Sequence, residues 1–100
     1  MANSVTTNPI YLDTFTADIV VKAPGTGPLI VKAITLWSDD SETRFMLEDG
    51  NGVPCAVLGR GTNGPQSVSF GNGTNLTRGV ICDVSDCDKV SGKAKVCIYL

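Results

Sequence analysis

"TRFMLEDGNGVPCAVLG", residues 43–59, is the stretch from which the rest of the chain can be read. Two runs with alternating apolar positions flank Asp49-Gly50-Asn51-Gly52, and Asp-Gly and Asn-Gly supply residues that tolerate positive φ in a tight turn. The pattern predicts an antiparallel hairpin, strand 43–49 against strand 53–59. In the first run Phe45 and Leu47 alternate with Arg44, Met46 and Glu48, so a period of two puts Phe45 and Leu47 on the core face. "DGNG" also matches the start of a calcium loop. The ligand spacing and closing Glu of such a loop are missing, and a hairpin turn accounts for it.

The same punctuation runs outward in both directions. Short β-branched and apolar runs at 18–23 ("DIVVKA"), 29–38 ("LIVKAITLWS"), 66–70 ("QSVSF"), 78–84 ("RGVICDV") and 93–100 ("KAKVCIYL") are separated by Gly, Pro and Asn. A further extended piece is expected within "SVTTNPIYL". "APGTGPL" (23–29) marks a corner before the longest strand. "GRGTNGPQ" and "GNGTNLTRG" read as loops around a short strand. Apolar residues nowhere keep a helical period with caps at both ends, so little or no helix is expected. The expected fold class is all-β: a small antiparallel β-sandwich, jelly-roll-like, with roughly seven or eight strands. A small barrel is the structural alternative. Residues 1–16 read as an extended N-terminal arm or edge strand and 17–100 as the sandwich domain.

One hundred residues, 42% of them apolar and 18% charged, suit one domain with one packed core. The net charge is −2 and no basic run could follow a phosphate backbone, so nucleic acid is not an expected partner. The N-terminus lacks the basic start and apolar stretch of a signal peptide, and no apolar segment has membrane-helix length. The expectation is a soluble protein made in a cytoplasm. The adjacent sequons Asn72-Gly73-Thr74 and Asn75-Leu76-Thr77 are then matches by chance.

Chemistry has little to work with. There is no histidine, so Ser or Cys nucleophiles lack their usual base. Asp39, Asp40 and Glu42 in "SDDSE" could do acid-base work, but their serine flanks read as a solvated turn. "GRGTNGP" lacks the Lys and Ser or Thr of a phosphate loop. Arg60 within it is an ordinary solvated arginine ahead of a surface anchor. No catalytic residue, cofactor or metal site is expected, and the chain reads as a non-enzyme.

Three of the four cysteines fall in "VICDVSDCDKVSGKAKVCIYL", residues 80–100. Cys55, Cys82, Cys87 and Cys97 lack the close pairs of a zinc site. A hairpin turning near Lys89 and Val90 would place Cys82 across from Cys97. Alternation argues against it, because Val80, Cys82 and Val84 share a face while Val96, Ile98 and Leu100 form a face that excludes Cys97. Cys82 with Cys87 could instead clip the intervening loop. Free thiols rank first, disulfides formed after release from the cell second, and zinc third.

"VKAITLWSDDSETRFMLEDGNGVPCAVL", "SVSFGNGTNLTRGVICDV" and "KAKVCIYL" together resemble small β proteins encoded among tailed-bacteriophage virion genes. The likeness covers residues 29–100, and the four cysteines and "DVSDCDKVSG" depart from it. The resemblance implies a virion structural protein, foremost a capsid decoration or cement protein on the major capsid protein lattice, with a neck or tail accessory position next. It also implies a homotrimer, since sites on an icosahedral shell demand matched symmetry. In that setting residues 1–15 would lie across neighbouring subunits, with Ile10, Tyr11, Leu12 and Phe15 as apolar anchors. The alternative makes this segment the domain's own first edge strand. A carbohydrate-binding or adhesin-type β-sandwich is the competing function. Trp37, beside "SDDSE", is its one platform, although core burial is the first expectation for that residue.

Overall fold

A computed structural model describes residues 3–59 and 66–100. Arg60 and the rest of "RGTNGP" (60–65) lie outside the described residues. Eight strands follow in order: β1 Ile10–Leu12, β2 Ile19–Lys22, β3 Leu29–Ser38, β4 Arg44–Glu48, β5 Pro54–Gly59, β6 Gln66–Leu76, β7 Val80–Cys82 and β8 Ala94–Tyr99. One 3-10 turn, Val84–Asp86, is the only helical element among the described residues.

The apex is the hairpin of residues 43–59. β4 and β5 pair antiparallel, with Phe45 opposite Leu58 and Leu47 opposite Ala56. The Asp49 carboxylate holds the turn by accepting from the backbone N–H of Asn51 (2.8 Å) and Val53 (3.0 Å). Gly52 supplies the positive φ, +79°. Gly50 sits where a Cβ would come 2.7 Å from Pro24 Cγ and 2.8 Å from the Arg78 carbonyl oxygen.

Behind the apex the pairing is nested: β3 with β6, β2 with β7, β1 with β8. The chain is thus one long antiparallel ribbon doubled back at residues 49–53. Rolling that ribbon lays β8 beside β3 and β7 beside β4, which gives two four-stranded sheets, β1-β8-β3-β6 and β2-β7-β4-β5. This is a jelly-roll sandwich, two sheets facing across one core.

Period-two alternation fills that core. Ile10, Leu12, Ile34, Leu36, Val96 and Ile98 point inward from one sheet, and Phe45, Leu47, Val80 and Cys82 from the other. Phe15 closes one end, its ring edge-on to Phe45 with centroids 6.1 Å apart. Truncating a side chain buried this completely costs about 2–5 kcal/mol.

Two departures from the sequence reading have physical causes. The short strand at 66–70 continues to Leu76, because Gly71 (φ +63°) and Gly73 (φ +113°) let β6 buckle outward and rejoin β3. Val31 pairs with Thr74 and Ala33 with Ser69, so the buckle lies opposite Lys32. That irregularity also reverses the alternation of β3: Val31 is inward, then Ile34, Leu36 and Ser38. Trp37, for which burial was expected, is therefore 46% exposed on the outer face. As the alternation argued, Cys82 and Cys97 do not face each other: β7 and β8 form no hairpin and lie in opposite sheets.

Candidate functional site

The outer face of the β1-β8-β3-β6 sheet follows from the register. Tyr11 stands opposite Cys97, and Cys97 opposite Thr35; Tyr99 stands opposite Ala33; Lys95 stands opposite Trp37. Each row shares a face, so Tyr11, Trp37 and Tyr99 look out from one side. Lys95 Nζ lies 5.3 Å from the Trp37 ring centroid, a cross-strand cation–π contact. Partial burial, with the Asp13 carboxylate nearby, raises the Tyr11 phenol above its ordinary pKa and keeps it a neutral donor. At the foot of the face a shallow concavity of about 300 Å³ runs between Trp37, Asp13, Asp39 and Lys93.

"SDDSE" is the turn it reads as. Asp40 Oδ1 accepts from the Glu42 backbone N–H (2.9 Å) and Oδ2 pairs with Lys93 Nζ at 2.8 Å. Beneath it Thr43 donates to the Lys89 carbonyl (2.7 Å), so its contact with Ser38 (2.7 Å) must be a hydrogen bond donated by Ser38. The Lys93 ammonium beside Asp40 holds that carboxyl below its usual range, which makes it an anchor for the turn.

The residues assigned to the N-terminal arm divide. Ile10, Leu12 and Phe15 are buried in this chain's own core, and β1 is an edge strand hydrogen-bonded along β8. Tyr11, the outward member of the set, joins the aromatic face instead. The segment is tied down further by Asn8, whose side chain accepts from Leu100 N–H (3.0 Å) and donates to Leu100 carbonyl (3.2 Å).

All four cysteines are free. Cys55 is half-buried on β5 and Cys97 half-buried on the aromatic face, whereas Cys82 and Cys87 meet with sulfurs 3.8 Å apart. They stand at the base of an excursion. Ile81 is opposite Glu48 and Asp88 is bridged to Arg44, so seven residue steps of the chain running on from β7 span four along β4. The surplus is the loop Asp83–Cys87. Cys82 donates its S–H to the Cys87 sulfur, which pulls the Cys87 thiol down to about 7 and holds Cys82 in its protonated form. The Met46 backbone N–H adds a second donor at 3.4 Å.

The loop carries a group of residues that the sequence reading passed over. Glu48, Asp83 and Asp86 bring one carboxylate oxygen each to within 4.8 Å of one another. Glu48 is raised to about 7, first by its hydrogen bond to the Asp86 carboxyl and then by burial. The signal was present in "CDVSDCD", but its partner Glu48 is remote in sequence and is brought there by the β4–β7 pairing.

No protein-family model matches the chain, and neither a curated protein nor a solved structure matches it significantly.

Proposed function

We propose that this chain is a non-enzymatic structural protein that docks through the outer face of its β1-β8-β3-β6 sheet onto a repeating protein surface. Its identity on this reading is a decoration or cement protein of a tailed-phage head, bound as a homotrimer to the major capsid protein lattice. The observation that carries the reading is the gathering of Tyr11, Trp37 and Tyr99 on one outer sheet face, with Trp37 and Tyr99 exposed. Aromatic side chains of this kind are the usual anchors of protein interfaces, since each removes a large apolar area from water at little entropic cost. The resemblance of residues 29–100 to phage virion proteins supplies the partner. A neck or tail position uses the same face.

The test is co-sedimentation of the full chain with purified tailed-phage heads. Binding at a stoichiometry set by the lattice supports the reading, and Trp37→Ala should weaken it tenfold or more, as expected of an aromatic anchor worth about 2 kcal/mol. A chain that stays at the top of the gradient argues against it.

One observation favours a second reading. Trp37 is exposed, beside Lys95 and above a concavity lined by Asp13 and Asp39, which suits stacking against a sugar ring. Jelly rolls serve both capsids and lectins, so the fold does not choose between them. Quenching of Trp37 fluorescence by oligosaccharides, with no binding to heads, would establish the carbohydrate module.

A further inference from the structure

An asparagine side chain is most open to attack by the next backbone nitrogen where glycine follows it, because glycine puts no Cβ in the way. Two Asn-Gly pairs fall in the described residues, Asn51-Gly52 and Asn72-Gly73; Asn63-Gly64 lies outside them. Both asparagines are exposed, yet the fold treats them differently. At the hairpin apex the Gly52 N–H donates to the Asp49 carbonyl (3.1 Å) and the Asn51 N–H to the Asp49 carboxylate (2.8 Å). The attacking nitrogen there is tied, and it sits beside a negative charge that opposes loss of its proton. The buckle of β6 is a different setting. Thr74 pairs with Val31 and Ser69 with Ala33, so the register gives residues 70–73 no partner of their own on β3 and leaves the Asn72-Gly73 peptide outside the ladder. Glycine is required at 73, where a Cβ would come 2.7 Å from Ile30 Cγ2, and the Lys32 Cγ lies 3.6 Å from the same point, so the side chain beside this peptide is cationic.

We propose that Asn72 is a site of spontaneous deamidation in the folded chain, and that the hairpin protects Asn51 from the same reaction. The Gly73 nitrogen bonds to Asn72 Cγ and gives up its proton; the side-chain nitrogen takes up a proton and leaves as ammonia, which closes a cyclic succinimide. Water then opens either carbonyl of the ring. The product is aspartate or isoaspartate, and each carries a negative charge that asparagine lacks. The attack requires the Asn72-Gly73 peptide to rotate toward its own side chain. Ladder hydrogen bonds resist such a rotation, and a peptide outside the ladder is released from them. Isoaspartate also lengthens the main chain by a methylene, which a buckle already holding surplus residues absorbs. Modification here changes the charge at the border of the β1-β8-β3-β6 sheet and leaves the core alone.

Incubation of the full chain in mildly alkaline buffer, with tandem mass spectrometry of its tryptic peptides at intervals, reads each asparagine separately. In the native chain Asn72 should convert about five to ten times faster than Asn51, the factor that one hydrogen bond of ordinary strength provides. In guanidinium chloride, which removes the buckle and the hairpin alike, the two rates should converge; this arm separates the effect of the fold from that of the local sequence. Asn72→Asp should melt within about 4 °C of the wild type, as an exposed substitution that touches no core contact does. An Asn72 that stays intact in the native chain, an Asn51 rate equal to or above it, a gap of the same size in guanidinium chloride, or a larger Tm loss in Asn72→Asp would each overturn the proposal.

Discussion

The Cys87 sulfur faces the Cys82 sulfur at 3.8 Å, with Cys82 fully buried and Cys87 half-buried toward solvent. A disulfide needs about 2.05 Å, so closure asks the two to approach by roughly 1.7 Å. The first prediction is that glutathione disulfide oxidises this pair alone. The Cys87 thiolate attacks one glutathione sulfur and releases one glutathione; Cys82 then displaces the second. The protein loses two hydrogens, and intact-mass spectrometry with thiol titration should show two thiols fewer. Because the Cys87 thiol sits at about 7, its alkylation should accelerate as pH rises through that value. A bridge involving Cys55 or Cys97 would contradict the geometry.

Removing residues 1–15 takes away β1 and three buried side chains, Ile10, Leu12 and Phe15. At about 2–5 kcal/mol each, their loss is of the same size as the roughly 5–15 kcal/mol that holds a domain together. The truncated chain should therefore lack a cooperative unfolding transition in urea. A truncated chain that folds with near-native stability would return this segment to the role of a free arm reaching over neighbouring subunits.

Phe45→Ala should lower stability by about 3–5 kcal/mol, since the ring is fully buried and also loses its edge contact with Phe15. Urea denaturation measures this directly. Trp37→Ala should cost about 1 kcal/mol or less, the scale of an exposed cation–π contact, and its removal leaves the core untouched. A loss as large as that of Phe45→Ala would mean that Trp37 is buried after all.

Asp49 makes the hairpin pH-dependent. Backbone N–H donors, Val53 first, hold its carboxyl below the ordinary value of 3.8. A depressed folded-state pKa gives stability that is present above the unfolded value and lost as pH falls through the folded one. Tm should thus fall more steeply below pH 3.8 in the wild type than in Asp49→Asn, which keeps an acceptor oxygen but does not titrate. Parallel Tm profiles for the two proteins would remove Asp49 as the cause.

The strands and the central hairpin were legible because their signals are local. Residues 29–38 are a strand over the whole predicted span, and Phe45 and Leu47 are inward as their alternation requires. Trp37 was not legible. "LIVKAITLWS" has apolar residues on both alternations, and only the pairing with β6 reveals where the phase reverses. Cys97 facing outward follows from the neighbours Val96 and Ile98, whereas the meeting of Cys82 with Cys87 depends on a strand excursion. Glu48 was hidden by the same kind of long-range event: it ends a strand whose own pattern places it with Arg44 and Met46, and the loop after β7 covers it.

The buckle in β6 has a bearing on how these chains behave when crowded together. β6 borders its sheet, and a straight border eleven residues long would present a regular row of amide and carbonyl groups to another molecule. At Gly71 and Gly73 the backbone turns through positive φ, and a Cβ on Gly73 would come 2.7 Å from Ile30 Cγ2. The interruption leaves no long ladder for strand addition, so it guards against aggregation into fibres where many copies gather in one place.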